Sequence, residues 1–329
     1  MNDRNAGEIN PGDAAAIDLV AFGMIIDDIV FPDGRTSMGI LGGGGPQTAF
    51  GMRLWSPSVG LAADICITER DFIVDWLREN QIDPGGIRIN DLPTPRAWQL
   101  MEEDGRRTQV WRVPENVIDA QLCRSLDKLP LNYQQTRGLH FGVHPDAFHQ
   151  SSDVEFIQCL RQQGAVVSIE CFKPAERALQ PDALQRLVSS AEIFSANQEE
   201  AQSLVGDGDP LEQARRLAKA GGNEPVTQAI VVRLGAAGAV VMHVASGESL
   251  LIPAFPTQVV DPIGAGNAYC GGFLSGWVYK KDLRLAAIWG AVSASFAVEQ
   301  VGLPSLSPEI LLESRRREAL LFKIGEEKK

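Results

Sequence analysis

The chain has 329 residues, of which 44% are hydrophobic, and a formal net charge of −12 at neutral pH. This length allows one large α/β domain or two smaller ones, each with a buried core. The acidic balance argues against nucleic acid and anionic membranes as partners, because both bind basic protein surfaces. A small phosphorylated substrate stays compatible, since local backbone dipoles can bind it.

Five cysteines are scattered along the chain without any C-x-x-C spacing. This pattern favours reduced thiols over a disulfide framework or a zinc site, and so favours a cytoplasmic protein. The sequence has no apolar run near the roughly 20 residues that cross a bilayer. Residues 1–16 are polar and lack an apolar segment, which predicts a flexible tail rather than a signal peptide.

Residues 17–30 open the fold with short apolar segments on either side of Gly23. They predict a central parallel strand of an α/β sheet, and such sheets bind ligands at the carboxyl ends of their strands. Asp27 and Asp28 stand at that end. The alternative is that both acids are solvated turn residues.

A glycine cluster follows, including Gly42, Gly43 and Gly44, and leads into a helical pattern that runs to Trp55. Four successive glycines cost backbone entropy, so either a ligand approaches closely here or the segment is a merely flexible loop. The pattern disfavours a dinucleotide site, because no strand abuts the glycines and no ribose-binding acid follows about 20 residues later.

Short alternating segments then occur without helices between them. Residues 96–101 and 108–112 flank Asp104 and Gly105, which is a hairpin signal. Consecutive strands of this kind predict a small sheet that projects from the main one.

Two later segments each have an ordinary structural interpretation. Asn197 and Glu200 open a helix, which is common capping chemistry. Gly235 and Gly238 join two strand patterns in a hairpin, and Arg233 places a positive charge just before that turn.

Residues 261–273 combine a glycine-rich turn with the start of a helix. Backbone N–H groups at a helix start lack partners, and Gly264, Ala265 and Gly266 are small enough to let an anion approach. The stretch has neither the Lys-Ser/Thr pair of a Walker A loop nor the G-x-G-x-x-G spacing of dinucleotide folds. It predicts a site for negative charge.

In this order the motifs resemble those of ribokinase-like (pfkB-type) carbohydrate kinases. The sequence D-P-I-G-A-G-N at residues 261–267 is similar to the family's D-T-x-G-A-G-D. The resemblance implies a single doubly wound α/β domain over residues 17–315, with a mostly parallel sheet flanked by helices. It also implies a small inserted β lid, with segments near residues 31–41 and 87–113, which can mediate homodimer formation. Residues 316–329 would then form a charged C-terminal tail.

The resemblance further implies transfer of the γ-phosphoryl group of ATP, with Mg²⁺, to a hydroxyl of a sugar, a nucleoside or a related small polyol. The implied catalytic residues are those of the turn: Asp261, Gly264, Ala265, Gly266 and Asn267. The implied acceptor-binding residues are Asp28, Gly42, Gly43 and Gly44. The implied nucleotide-binding residues are Asn197, Glu200, Arg233, Gly235 and Gly238, and Glu200 would also reach the metal through water.

Three positions depart from the family pattern. Asn267 stands where the family has the Asp that takes the substrate's proton, and an amide cannot accept a proton at neutral pH. Pro46 replaces a signature Asn, and Pro262 stands where the quoted pattern has Thr. Three hypotheses follow. The protein is a kinase, in which Asp28 or Asp261 could take the proton, or it is a catalytically impaired sensor that binds a nucleotide or sugar phosphate. The third hypothesis is an enzyme that uses the same pocket for different chemistry, for which the sequence offers no specific residue.

Overall fold

Strands and helices alternate along the chain and build a large sheet of nine strands in the order β13-β12-β11-β10-β9-β8-β1-β4-β5. The computed structural model describes residues 15–103, 107–148, 151–222 and 226–324. The strands of this main sheet are β1 (Leu19–Phe22), β4 (Val59–Cys66), β5 (Asp83–Asn90), β8 (Gly138–Val143), β9 (Val166–Cys171), β10 (Ile193–Asn197), β11 (Ala229–Arg233), β12 (Ala239–His243) and β13 (Ser249–Ile252).

Parallel pairing dominates this main sheet. Every neighbouring pair from β5 to β11 is parallel, and only β12 and β13 add antiparallel pairs at one edge. This arrangement confirms the predicted fold class.

Helices cover both faces of the main sheet, and all four residues of β1 are buried as that arrangement requires. One hydrophobic cluster includes residues of α1, α9 and α10, and a second includes residues of α5, α6, α7 and α8. The helices are α1 (Gly45–Arg53), α2 (Arg70–Glu79), α3 (Glu115–Leu122), α4 (Leu131–Gln134), α5 (Asp153–Gln162), α6 (Pro181–Ser189), α7 (Gln198–Val205), α8 (Pro210–Ala220), α9 (Ala265–Lys280), α10 (Leu283–Ala297) and α11 (Pro308–Ile324).

Four further strands form a second sheet, here called the lid sheet, in the order β3-β2-β6-β7. They are β2 (Ile25–Val30), β3 (Thr36–Gly42), β6 (Arg96–Met101) and β7 (Arg107–Trp111). The antiparallel pairing of β6 with β7 agrees with the predicted hairpin. Its turn, at residues 104–106, lies outside the described residues.

The predicted single strand over residues 17–30 is wrong, because the chain divides there between the two sheets. Gly23 has φ 111°, a conformation that residues with a side chain rarely adopt, and the direction of the chain changes at this point. The first half becomes β1 of the main sheet and the second half becomes β2 of the lid sheet.

The lid boundaries also need correction. The lid sheet begins at Ile25, because β2 belongs to it, rather than at residue 31. Residues 87–90 belong to β5 and pair with β4 in the main sheet, so the second lid segment begins near Arg96.

The predicted charged tail from residue 316 is a further error, because α11 continues to Ile324. Arg317 is only 8% exposed and bonds to Glu299 and Glu313, while Leu321 is 2% exposed in the core. Buried contacts hold this segment despite its charged sequence. The predicted N-terminal tail falls almost wholly on residues 1–14, which lie outside the described residues.

No helix in the described ranges is long and apolar enough to cross a membrane. All five cysteines lie in the described ranges, and each is a free thiol, as the sequence predicts.

Candidate active site

The glycine-rich turn before α9 has the geometry of an anion site. Gly264 is the N-cap residue with left-handed φ 80°, and a Cβ there would overlap the side chain of Gln47. Gly266 and Asn267 are in the first helical turn, where backbone N–H groups have no intrahelical acceptor. These groups and the helix dipole favour negative charge at this end.

The glycine cluster before α1 lies against this turn. A Cβ on Gly44 would stand 3.7 Å from the Asn267 amide. The Thr48 hydroxyl donates to the backbone oxygen of Asn267 at 3.1 Å, which joins α1 to α9. Gly43 and Gly44 both have positive φ, at 76° and 91°. The structure therefore brings the predicted acceptor-binding glycines to the predicted anion turn.

Gln47 is a site residue that the sequence analysis missed. The alignment with the family's N-terminal signature singled out Pro46. Pro46 lies in the first turn of α1, where a backbone N–H has no intrahelical acceptor, so a proline there loses no hydrogen bond. The Gln47 side chain reaches beneath Gly264 and donates to the Leu41 carbonyl at 3.3 Å. Its Oε1 is buried without a partner among the described residues. The sequence feature that could have indicated this residue is the side-chain amide directly after Pro46, at the position next to the expected Asn.

Arg233 places a buried positive charge directly behind the turn. A Cβ on Gly266 would overlap its Nη1 atom. The Arg233 guanidinium is only 9% exposed and forms ion pairs with Glu170 and with Glu200, the latter at 3.2 Å. The sequence predicted the charge of Arg233 but not its partner Glu170.

Burial disfavours the charged form of Glu170 and of Glu200, whereas the positive charge of Arg233 favours it. At Glu170 burial is the largest single influence, but Arg233 and His140 together outweigh it and lower the pKa to about 2. At Glu200 burial prevails over the more distant arginine and raises the pKa to about 7. For Arg233, burial lowers the pKa, but Glu170, Cys270 and Glu200 together outweigh burial, so the pKa of Arg233 is raised. Glu170 is thus the main counter-ion of Arg233.

Asn197 and Glu200 form a complete capping box at the start of α7. The Glu200 amide donates to Asn197 Oδ1 at 2.8 Å, and the Asn197 amide donates back to Glu200 Oε2 at 2.6 Å. Asn197 Nδ2 donates to Glu200 Oε1 at 2.7 Å. Both Glu200 oxygens therefore have protein donors. Direct metal ligation would disrupt the cap, whereas contact through water fits the lone pairs that remain.

The turn with Gly235 and Gly238 follows Arg233 directly. It is a short 3₁₀ segment between β11 and β12, and Gly238 has φ 100°. A Cβ at Gly238 would overlap the Ile252 carbonyl oxygen, whereas one at Gly235 would have nothing within 4 Å. The structure thus brings Gly235 next to open space and packs Gly238 against the backbone.

Buried groups near Arg233 resemble a metal-ligand set. Ligand atoms of His140, Glu170 and Cys270 lie within 4.8 Å of one another. Arg233 contacts Glu170 and lies 3.6 Å from Cys270 Sγ, so a permanent cation already balances this cluster. We interpret the cluster as a support for Arg233.

Asp28 does not face the glycine loop, contrary to the prediction. Its carboxylate is fully buried and accepts hydrogen bonds from the Gly39 amide, Arg96 and Arg112. Burial would raise its pKa, but these donors prevail and lower the pKa to about 2. The reason is the alternation of a strand, which places Asp28 with Trp98 and Asp27 with Ala97 on opposite faces.

Asp27 lies on the face that the prediction assigned to Asp28. A Cβ on Gly42 would overlap the Asp27 carboxylate, so this side chain reaches the start of the glycine loop. The sequence showed both acids, but choosing between them required the register of β2 against β6.

Asp261 has a structural place in the turn. It is 2% exposed and accepts from the Ile263 amide at 2.9 Å. Burial raises its pKa, and the hydrogen bond from Ile263 opposes that shift. Its backbone N–H donates to the Val298 carbonyl at 3.2 Å, which fixes the turn to the end of α10.

A family model described as "pfkB family carbohydrate kinase" matches residues 38–310. The chain therefore belongs to the pfkB family of carbohydrate kinases, which confirms the resemblance inferred from the motifs.

Individual relatives agree with this assignment. The cytidine kinase of Thermococcus kodakarensis is 26% identical over 271 residues, which cover 82% of this chain and 91% of the relative. The solved structure of a fructokinase with bound ATP from Xylella fastidiosa has a TM-score of 0.71 at 18% identity, covering 92% of this chain and 99% of that one. A structure described as a ribokinase II from E. coli, in complex with ATP and Mg²⁺, has a TM-score of 0.71 at 17% identity, with coverage of 92% and 99%. These solved structures show the fold.

Proposed function

We propose that the protein transfers the γ-phosphoryl group of ATP to a hydroxyl group of a sugar or nucleoside. The observation that carries this proposal is the start of α9, where the amides around Gly266 have the buried charge of Arg233 behind them and the Gly42–Gly44 loop in front. Phosphoryl transfer depends mainly on positioning and on neutralising charge, and this arrangement supplies both.

The nucleotide lies, in this proposal, along the carboxyl ends of β10 and β11. Asn197 is directly opposite Arg233 in the parallel register of these strands. Gly235 and Gly238 follow in the turn after β11, and the open space at Gly235 leaves room for a ligand. ATP as the donor is supported by the solved relatives that contain it.

Mg²⁺ would supply charge neutralisation at the phosphates. Glu200 would hold it through water, because its two oxygens already accept from Asn197. Arg233 keeps the Glu200 carboxylate in place from the other side.

A sensor without turnover is the second candidate, and Asn267 is the observation that favours it. The Asn267→Asp variant separates the two functions. We expect the wild type to phosphorylate an acceptor from a panel of nucleosides and sugars, and the variant to be faster. Turnover that appears only in the variant would establish the sensor instead. Thermal shift with each panel member then identifies the bound molecule in either case.

The protein would act in the cytoplasm, in keeping with its reduced thiols.

A second copy of the chain would cover the lid sheet and form a homodimer. The face of the lid sheet that carries Asp28 also carries Trp98, and Val110 lies opposite Trp98 with 44% of its surface exposed. We expect sedimentation velocity to show a dimer that Val110→Glu dissociates. Leu251→Glu, at a 63% exposed position on β13, is the control that should leave it intact. A monomeric wild type contradicts this part of the proposal.

A further inference from the structure

The lid sheet presents a carboxylate to the glycine loop through Asp27. This side chain is 2% exposed, and Gln99 Nε2 donates to its Oδ1 at 2.7 Å. Gln99 in turn lies opposite Gln109 in the register of β6 and β7, and their amides are 3.4 Å apart. A row of polar side chains therefore holds Asp27 in place from the lid.

The glycine loop connects Asp27 to the anion turn. Asp27 touches the loop at Gly42, and the Asn267 amide touches it two residues later at Gly44. Neither glycine has a side chain that could separate the two groups from a molecule lying over the loop. An acceptor hydroxyl placed against the loop would thus meet a carboxylate from the lid and an amide from α9.

Resting on the proposed function, we propose that Asp27 is the catalytic residue that accepts the proton of the acceptor hydroxyl, the role that Asn267 cannot perform. The hydroxyl oxygen forms the new bond to the γ-phosphorus of ATP while the bond from that phosphorus to the β-γ bridging oxygen breaks. The proton passes to the Asp27 carboxylate, and ADP leaves with the electron pair. Asn267 hydrogen-bonds the attacking oxygen and orients it.

The other acids near the turn have partners that exclude this role. Asp28 is held by Arg96 and Arg112 on the opposite face of the lid sheet. Asp261 is tied to the backbone amide of Ile263 within the turn. Glu200 closes the capping box of α7.

The charges around Asp27 also suit a proton acceptor. The pKa of Asp27 is raised to about 6. Burial raises it most, the hydrogen bond from Gln99 and the charge of Arg107 lower it, and the charges of Asp28 and Asp261 add to the raising effect. A base whose pKa is near the working pH is the most effective one.

The test compares four proteins with ATP and the best acceptor of the panel: the wild type, Asp27→Asn, Asn267→Asp and the double variant. We expect Asp27→Asn to lower kcat by about 10² to 10⁴ while the KM for ATP stays within about threefold. The wild-type kcat should fall as the pH drops below about 6, and this acidic limb of the pH profile should be absent in Asp27→Asn. The double variant should recover most of the lost kcat, because Asn267→Asp restores a base on the other side of the loop.

Asp28→Asn is the matched control, since it changes the neighbouring carboxylate on the other face of the lid sheet. It should keep the acidic limb, and melting curves at pH 8 confirm that each variant is folded. The proposal is overturned if Asp27→Asn changes only the acceptor KM and keeps the acidic limb, because Asp27 then merely binds. It is also overturned if the wild type is inactive and Asn267→Asp is active, an outcome that removes the proposed function as well.

Discussion

Arg233 is the residue on which the charge balance behind the anion turn depends. It neutralises Glu170 and Glu200, and all three residues are at most 9% exposed. We expect Arg233→Met to lower the free energy of unfolding by about 3 to 5 kcal/mol, because it leaves buried carboxylates without a counter-ion. Urea denaturation measures this loss.

The control for that prediction is an arginine on the surface. Arg316 pairs with Glu313 on α11 and is largely exposed, so Arg316→Met should cost less than about 1 kcal/mol. Equal losses in the two variants would show that the charge of Arg233 contributes little.

Asp27 makes stability depend on pH in a defined direction. Its pKa is raised to about 6 in the folded protein, so the folded state holds the proton more tightly than the unfolded state does. Stability from this group is complete below its ordinary pKa and is lost as the pH rises through about 6. Asp27→Asn should therefore increase the unfolding free energy at pH 8 by about 1 to 3 kcal/mol, and hardly at pH 4. A gain of the same size at both pH values would refute the raised pKa.

Gly266 lets the turn lie directly on Arg233. A Cβ there would overlap the guanidinium, so Gly266→Ala should destabilise the fold by about 1 to 3 kcal/mol and reduce phosphoryl transfer as well. Gly142→Ala is the matched control, because its nearest neighbour is at an ordinary contact distance of 3.5 Å. Melting temperatures and kcat of the two variants test this claim, and similar behaviour would contradict it.

At the scale of single residues, the motifs lead to the turn at Gly264 and to the Gly42–Gly44 loop, which the structure brings together. They do not lead to Gln47 or Glu170, and they do not decide between Asp27 and Asp28. Motif spacing identifies positions along the chain, so the turn at Gly264 and the capping box at Asn197 were accessible to it. It cannot say which of two adjacent acids faces the site, because that depends on pairing with β6, about 70 residues away. Glu170 carries no local motif and acquires its role only by contact with Arg233.

At the scale of elements, α11 is the segment whose sequence is most misleading. Its run of arginines at residues 315–317 suggests solvent, yet Arg317 and Leu321 are buried against the rest of the chain. A chain that ends at residue 315 should melt well below one that ends at residue 324, since the Leu321 side chain alone contributes about 1.5 to 3 kcal/mol. Coincident melting curves would show that this helix is dispensable.

The lid sheet shows that hydrophobic patterning does not determine which strands pair with one another. The alternating pattern predicted the β6–β7 hairpin of this sheet, whereas β2 was predicted as part of a strand of the main sheet. The pattern of residues 17–30 is the same whether the chain continues or turns at Gly23. The backbone conformation at that glycine decides which sheet receives β2. Local sequence therefore predicts strands better than it predicts their partners.

At the scale of the whole molecule, the order of the motifs along the chain was sufficient to predict the fold. Repeated alternation of strands and helices specifies a doubly wound sheet, and the pfkB assignment agrees with it. Function depends on a smaller part, the surfaces that meet at the glycine loop, and there the chain places an amide at position 267 and a carboxylate at position 27.

The most direct measurement is mass spectrometry of the acceptor panel after incubation of the wild-type protein with ATP. Our account predicts one or a few sugars or nucleosides that gain a single phosphoryl group, with ADP formed in equal amount. Unchanged acceptors, in the presence of protein that binds ATP and is folded, would contradict it.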